Sequence, residues 1–267
     1  MRVSEGFRIV SLIQALSLAS TAAAAQSAAG FIQAGVEAQL ARNPEAGRRE
    51  MQQAIAVDST SYEAHWRLAE LLVDIGKQTP DSVKSAARDS LYAEAEAQAR
   101  IAVRLNPDGA DGHYILAAGI GRASLTKGKK ERVKRASEIR IEALRAIELD
   151  PAHHKAYHVM GRWNAEIMRL SGLQRFFAKN FLGGKIFNAA SWDSAVVYME
   201  RAVAASPENV YHRLDLGEIL IDRDRYTDAR VQLEEVARLP VFDVLDPQYQ
   251  ARAAALLQKI EGKQDRR

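Results

Sequence analysis

Three histidines, His153, His154 and His158, stand close together, with Arg162 one helical turn further on. His154 and His158 are four residues apart, a spacing that puts two imidazoles on one helix face and that metal sites use. A zinc site also needs a third or fourth ligand. No carboxylate or thiolate is placed to supply one, and the Arg162 cation would repel a metal. The expectation is therefore no metal and no cofactor. The sequence has no Gly-rich phosphate loop, no Gly-x-Ser-x-Gly elbow and no His-Glu-x-x-His pair. It has no cysteine either, which removes thiol nucleophiles and disulfides. The acidic residues scatter as they do on solvated helix faces. These features describe a protein that is not an enzyme and works by binding.

Charge narrows the partners. The net charge is only +3 over 267 residues, too little for a nucleic-acid ligand, and none is expected. The positive charge is concentrated in "TKGKKERVKR", with Lys127, Lys129, Lys130, Arg132, Lys134 and Arg135. A solvated loop and helix start is one account of this patch. The sharper account is an anionic partner, either lipid head groups or an acidic protein, held by a contact that salt weakens.

The elements that must position these residues are helical. The chain is 47% hydrophobic and 27% charged, ordinary for a globular protein and enough to bury a sizeable core. Arg2 and Arg8, an apolar run from Ile9 to Leu18 and the small residues Ala23, Ala24 and Ala25 follow the order of a secretory signal. The apolar run is too short and too interrupted for a transmembrane helix. Residues 1–25 are thus expected to be a signal peptide cut near Ala25, with the mature protein periplasmic or secreted, and 26–267 a single domain.

Within that domain a pattern repeats. "YEAHWRLAELLVDIG", "ADGHYILAAGIGRAS", "HKAYHVMGRWNAEIM" and "VYHRLDLGEILIDRD" each carry an apolar seventh residue (Leu68, Leu116, Met160, Leu216) and a small eighth (Ala69, Ala117, Gly161, Gly217). An alanine-bearing amphipathic segment ending near a proline follows each one. This resembles the tetratricopeptide repeat (TPR), a helix-turn-helix unit of about 34 residues. The units run 28–61, 62–109, 110–153, 154–209 and 210–243, the middle three enlarged by insertions, and 246–262 reads as a capping helix. The resemblance implies an all-α, right-handed superhelical solenoid of TPR-like helix-turn-helix repeats with a C-terminal capping helix.

In that family fixed positions of each first helix line a concave groove. Here they supply Trp66, Val73, Tyr114, His158, Tyr211, Leu214 and Ile221, with Arg162 among the polar edges. Ile32, Val36 and Trp66 stand where members that grip carboxylate tails carry a Lys/Asn/Arg clamp, so that activity is not implied. The groove is expected to be apolar and to take a protein or peptide segment. The alternative is a lipid-binding or lipid-carrying module.

The longest insertion holds "LQRFFAKNFLGGKIFNAASW", with Phe176, Phe177, Lys179, Phe181, Lys185 and Phe187. Preceded by Gly161-Arg162-Trp163 and followed later by Leu239-Pro240, it resembles the regulator of microtubule dynamics family over roughly the last half of the chain. The resemblance implies organelle-contact and cytoskeletal roles in eukaryotes and, in one branch, phospholipid binding. An exported chain would not meet microtubules, so the fold and an apolar ligand are what carry over. The phenylalanines are expected either to fold back and plug the groove, or to dip into a membrane surface beside their lysines.

Overall fold

A computed structural model describes residues 27–181 and 184–265. Residues 1–25, expected above to be a signal peptide, lie outside these residues. Twelve α-helices are present among them: α1 (Ala28–Leu40), α2 (Pro44–Val57), α3 (Tyr62–Lys77), α4 (Ala86–Leu105), α5 (Ala110–Ala123), α6 (Lys129–Leu149), α7 (His154–Arg169), α8 (Gly172–Phe181), α9 (Trp192–Ala205), α10 (Val210–Asp222), α11 (Tyr226–Arg238) and α12 (Asp246–Lys259). Two single 3-10 turns, Ser124–Thr126 and Lys185–Ala189, follow α5 and α8. The described chain is an all-α solenoid of antiparallel pairs α1/α2, α3/α4, α5/α6, α7/α9 and α10/α11. The closing helix α12 packs on α10 and α11.

The same four-residue turn joins one pair to the next, and sequence explains it. Asp58, Asn106, Asp150 and Ser206 leave the helical conformation at the ends of α2, α4, α6 and α9. Pro107, Pro151 and Pro207 follow three of them and cannot continue the helix. In three of the four the next helix then starts on a side-chain cap, α5 starting on Gly109 without one. Ser61, His153 and Asn209 accept hydrogen bonds from the backbone N–H groups of Ala64, Ala156 and His212. Each cap satisfies a donor the helix start leaves orphaned.

A latch invisible to residue-type matching reinforces every turn. The fourth residue of each first helix from α3 onward reaches back six positions to a turn carbonyl: His65 to Ser59, His113 to Pro107, Tyr157 to Pro151 and Arg213 to Pro207, at 2.8–3.1 Å. Three of the four also bond to the second helix of their own pair, through Gln98, Glu142 and Gln232. The ring of His113 faces acceptors on both sides, the Pro107 carbonyl at 2.8 Å and Glu142 at 2.5 Å, so both nitrogens must carry protons. The Glu142 bond accordingly raises the His113 pKa against the opposing effect of burial.

Small residues let the paired helices meet. A Cβ on Gly161 would lie 2.9 Å from Met199 Cε, and one on Gly217 2.7 Å from Leu233 Cδ2. At Gly76 the added Cβ would meet the rigid ring of a buried tyrosine, Tyr92, with Cδ1 at 2.9 Å and Cε1 closer still. Tyr92 is fully buried and has nowhere to move. Gly76→Ala is expected to destabilise by about 1–3 kcal/mol through overpacking, seen as a Tm lower by roughly 2–4 °C per kcal/mol. Gly172→Ala, where nothing lies within 4 Å of the new Cβ, should leave Tm essentially unchanged.

Candidate functional site

The Gly-Arg-Trp of α7 shows how local sequence builds the site. Successive helix residues point about 100° apart, so three neighbours serve three different elements. Gly161 receives α9. Trp163 donates its Nε1–H to the Ala136 carbonyl of α6 at 2.7 Å. Arg162, between them, turns to the concave side and meets Asp215 of α10 at 3.0 Å. The next residue, Asn164, is buried and fixes the end of the insertion, accepting from the Ser191 N–H at 3.1 Å. The motif and the insertion belong together because these residues hold both.

The concave side is not the apolar groove expected. Val73 and Leu214 face inward and are buried in the cores between helices, and Trp66 is buried there with the Arg67 guanidinium 4.4 Å over its ring. Ile221 packs half-buried against the same core as Leu214. What lines the hollow is a connected set of ionisable groups. Arg162 and the ring of His158 converge on Asp215, with His158 Nε2 at 3.1 Å, off the line of an ideal hydrogen bond. Arg162 and Arg122 both donate to the Tyr211 hydroxyl, at 3.4 and 3.2 Å. The Tyr211 ring stacks on Tyr249 of α12 at 4.5 Å and meets His158 at a tilt of 38° and 4.4 Å, with Lys77 of α3 4.6 Å from its centroid. Five helices, α3, α5, α7, α10 and α12, thus meet around Tyr211. The superhelix closes on itself here, and the protein's own side chains occupy the space.

A second group adjoins the first. Lys155 bonds to Glu70 at 2.6 Å, and the Tyr114 hydroxyl donates to the same carboxylate at 3.3 Å. Burial would raise the Glu70 carboxyl, but Lys155 outweighs it and holds it low. Asp74, one turn on, has weaker help from Lys77 at 3.6 Å, and burial pushes it up to about 7. Burial would likewise raise Asp215. There Arg162 and His158 prevail, and the carboxyl sits well below its ordinary range.

The histidines form a relay. His154 Nδ1 lies 2.7 Å from His212 Nε2, and His212 Nδ1 lies 2.8 Å from His158 Nδ1. Each close nitrogen pair shares one proton. The Asp215 carboxylate orders the row by keeping the His158 proton on Nε2, so His212 donates to His158 and His154 donates to His212. All three rings are then neutral. Burial, first of all, depresses their pKa values, that of His154 to about 4. The nitrogens face one another and leave no shared opening for an ion. Among the described residues no group of three or more His, Cys, Asp or Glu is arranged to hold a metal.

The sequence reading placed His158, Arg162, Tyr114 and Tyr211 on this side but missed His212, Asp215, Lys155 and Tyr249. A signal for His212 existed. It stands third in its repeat, where the other three repeats carry Ala64, Gly112 and Ala156, so an imidazole fills space that elsewhere admits only a small side chain.

Of the insertion's described phenylalanine side chains, neither Phe176 nor Phe187 lies in the hollow. Phe187 is buried on the other side, in a core with Val133 of α6 and Met160, Trp163 and Ile167 of α7. Phe176 is 55% exposed, and Lys185 is exposed. The side chains of Phe177, Lys179 and Phe181 lie outside the described residues. In the basic patch Arg135 is spoken for, pairing with Glu96 of α4 at 2.8 Å and Glu131 at 3.3 Å. Lys127, Lys129, Lys130, Arg132 and Lys134 are exposed, and none makes an ion pair among the described residues.

Known proteins match this chain at family level. The sequence model of regulator of microtubule dynamics protein 1-3 matches residues 36–261. The chain belongs to that family. The match covers far more than the C-terminal half in which the Gly-Arg-Trp and the insertion lie. Among relatives, regulator of microtubule dynamics protein 1 of Bos taurus is 27% identical over 208 residues, covering 77% of this chain and 64% of that protein. The Homo sapiens protein is 26% identical over 200 residues, 74% and 62% respectively. The chain therefore spans less than two thirds of these relatives' length. Two solved structures share the fold: a thermophilic TPR protein of Thermus thermophilus (TM-score 0.60, 16% identity, 86% of this chain and 99% of that one) and pilF of Pseudomonas aeruginosa (TM-score 0.50, 14% identity, 87% and 91%). This family member is thus a TPR-like helical protein.

Proposed function

We propose that this chain is an exported, non-enzymatic scaffold whose protein partner lies along the concave side and is recognised by charge. The observation that supports this is the run of ionisable groups from α3 to α12 meeting at Tyr211. At its rim it stays accessible, through Glu166 (side chain 55% exposed), Arg169 and Asp222. A partner segment with complementary charge can exchange ion pairs with this rim. An acyl chain offers no charge to exchange with Glu166, Arg169 and Asp222 and would take these rim groups out of water. The geometry thus favours a protein segment over a lipid carried in the groove.

The test starts with the partner recovered from the native host and reconstituted with pure protein. Binding should fall at least about tenfold in Glu166→Lys/Arg169→Glu. It should also weaken as salt rises from about 0.1 M to about 1 M and the screening length drops from about 10 to about 3 Å. A partner that tolerates both changes contradicts the reading. Export rests on the order of charged, apolar and small residues in 1–25. It predicts a mature protein beginning near Gln26, and one beginning at Met1 would refute it.

A further inference from the structure

The insertion and the basic patch are far apart in sequence, and the fold joins them. Val133, on the first turns of α6, is buried in one core with Ala178 of α8 and with Phe187. Gly184 comes so close that a Cβ there would lie 3.1 Å from Val133 Cγ1. Around Val133, residues Lys129, Lys130 and Lys134 line an open hollow of about 810 Å³. Lys127 and Arg132 flank it in sequence.

On α8 the side opposite Ala178 exposes Leu173 at 67% and Phe176 at 55%, with Asn180 between them. Leu125, two residues before Lys127, adds a third exposed apolar side chain. One corner of the molecule therefore carries five cations that make no ion pair among the described residues, beside three exposed apolar side chains. An acidic protein or a nucleic acid would use the cations but gives no account of Leu173 and Phe176. A lipid surface uses both, because apolar side chains enter the acyl boundary while lysines meet anionic head groups.

We propose that this corner docks on an anionic membrane surface, with Leu173 and Phe176 of α8 entering the interface and Lys129, Lys130 and Lys134 of α6 resting on the head groups. Among the described residues no helix is long and apolar enough to cross a membrane, so the contact is peripheral. It leaves the rim at Glu166, Arg169 and Asp222 accessible to a partner, and the two readings stand or fall separately.

Flotation of the full chain with vesicles tests the proposal. The protein should float with phosphatidylcholine vesicles containing a third phosphatidylglycerol and not with phosphatidylcholine alone. Lys129→Glu/Lys130→Glu/Lys134→Glu should weaken binding at least about tenfold, since each lysine near an anionic leaflet contributes on the order of a factor of five. Leu173→Ser/Phe176→Ser should weaken it about as much without removing a charge. All five positions are exposed, so both variants should keep the wild-type Tm. Failure of the wild type to float overturns the proposal. So does equal binding to neutral vesicles, or binding that survives in both variants, which would place the contact elsewhere, for instance in the apolar run Ile9 to Leu18.

Discussion

Replacing Arg162 by methionine should lower the stability of this protein by about 3 kcal/mol, near the low end of the range for breaking a buried ion pair because Arg162 is itself one-third exposed. The loss falls on Asp215. Its side chain is 4% exposed and is held ionised by Arg162 and His158. Without the guanidinium, a buried carboxylate keeps only an imidazole whose own pKa burial has depressed. At roughly 2–4 °C per kcal/mol, the Tm should drop by about 6–12 °C. Removing the charge as well, in Arg162→Met/Asp215→Asn, should recover more than half of that loss, because no uncompensated ion is then left inside. A single variant within about 1 kcal/mol of wild type would mean the pair behaves like an exposed one.

Acid should weaken the fold well before carboxylates in general titrate. His154, His158 and His212 have folded pKa values below the usual 6.5, that of His154 about 4, so the unfolded chain takes up protons there and the folded one does not. Their contribution is fully present above pH 6.5 and is lost as pH falls toward the folded values. Asp74 works the other way. Its folded pKa of about 7 lets the folded state hold a proton between pH 4 and 7, which offsets one histidine. His158 and His212 leave a net loss of stability as pH falls below about 6.5. His113, with its raised pKa, adds nothing in that window; its contribution is lost only as pH rises through the folded value. Thermal melts at pH 7.5, 6.5 and 5.5 should show Tm falling at an increasing rate. His212→Gln, at the middle of the row, should flatten the fall. A Tm constant down to pH 5 would contradict the relay.

The fold was legible because its signals are local and repeat. Small residues at the eighth position, prolines in the turns and alanine-bearing second helices each have a packing reason that survives in a one-dimensional pattern. Phe187 was legible as a core residue but not by location, since its neighbours Val133 and Trp163 come from two other helices. The character of the concave side was misjudged for a related reason. Val73 and Leu214 point between helices, where position alone suggested an open face, while Asp215 looked like an ordinary solvated acid until α7 brought Arg162 and His158 against it. Curvature decides how near α3 comes to α10, and no single repeat encodes it. The latch residues His65, His113, Tyr157 and Arg213 escaped notice because three different chemistries do one job.

The central claim is that the hollow of this solenoid holds a neutral histidine row locked onto an ionised Asp215. NMR titration of the six imidazoles reads this directly. His154 should stay neutral at pH 5.5 and take its proton near pH 4, and His158 and His212 should take theirs below the ordinary imidazole midpoint. Protonation of all three by pH 6, with the free-imidazole midpoint of about 6.5, would show a hollow open to water and contradict the claim.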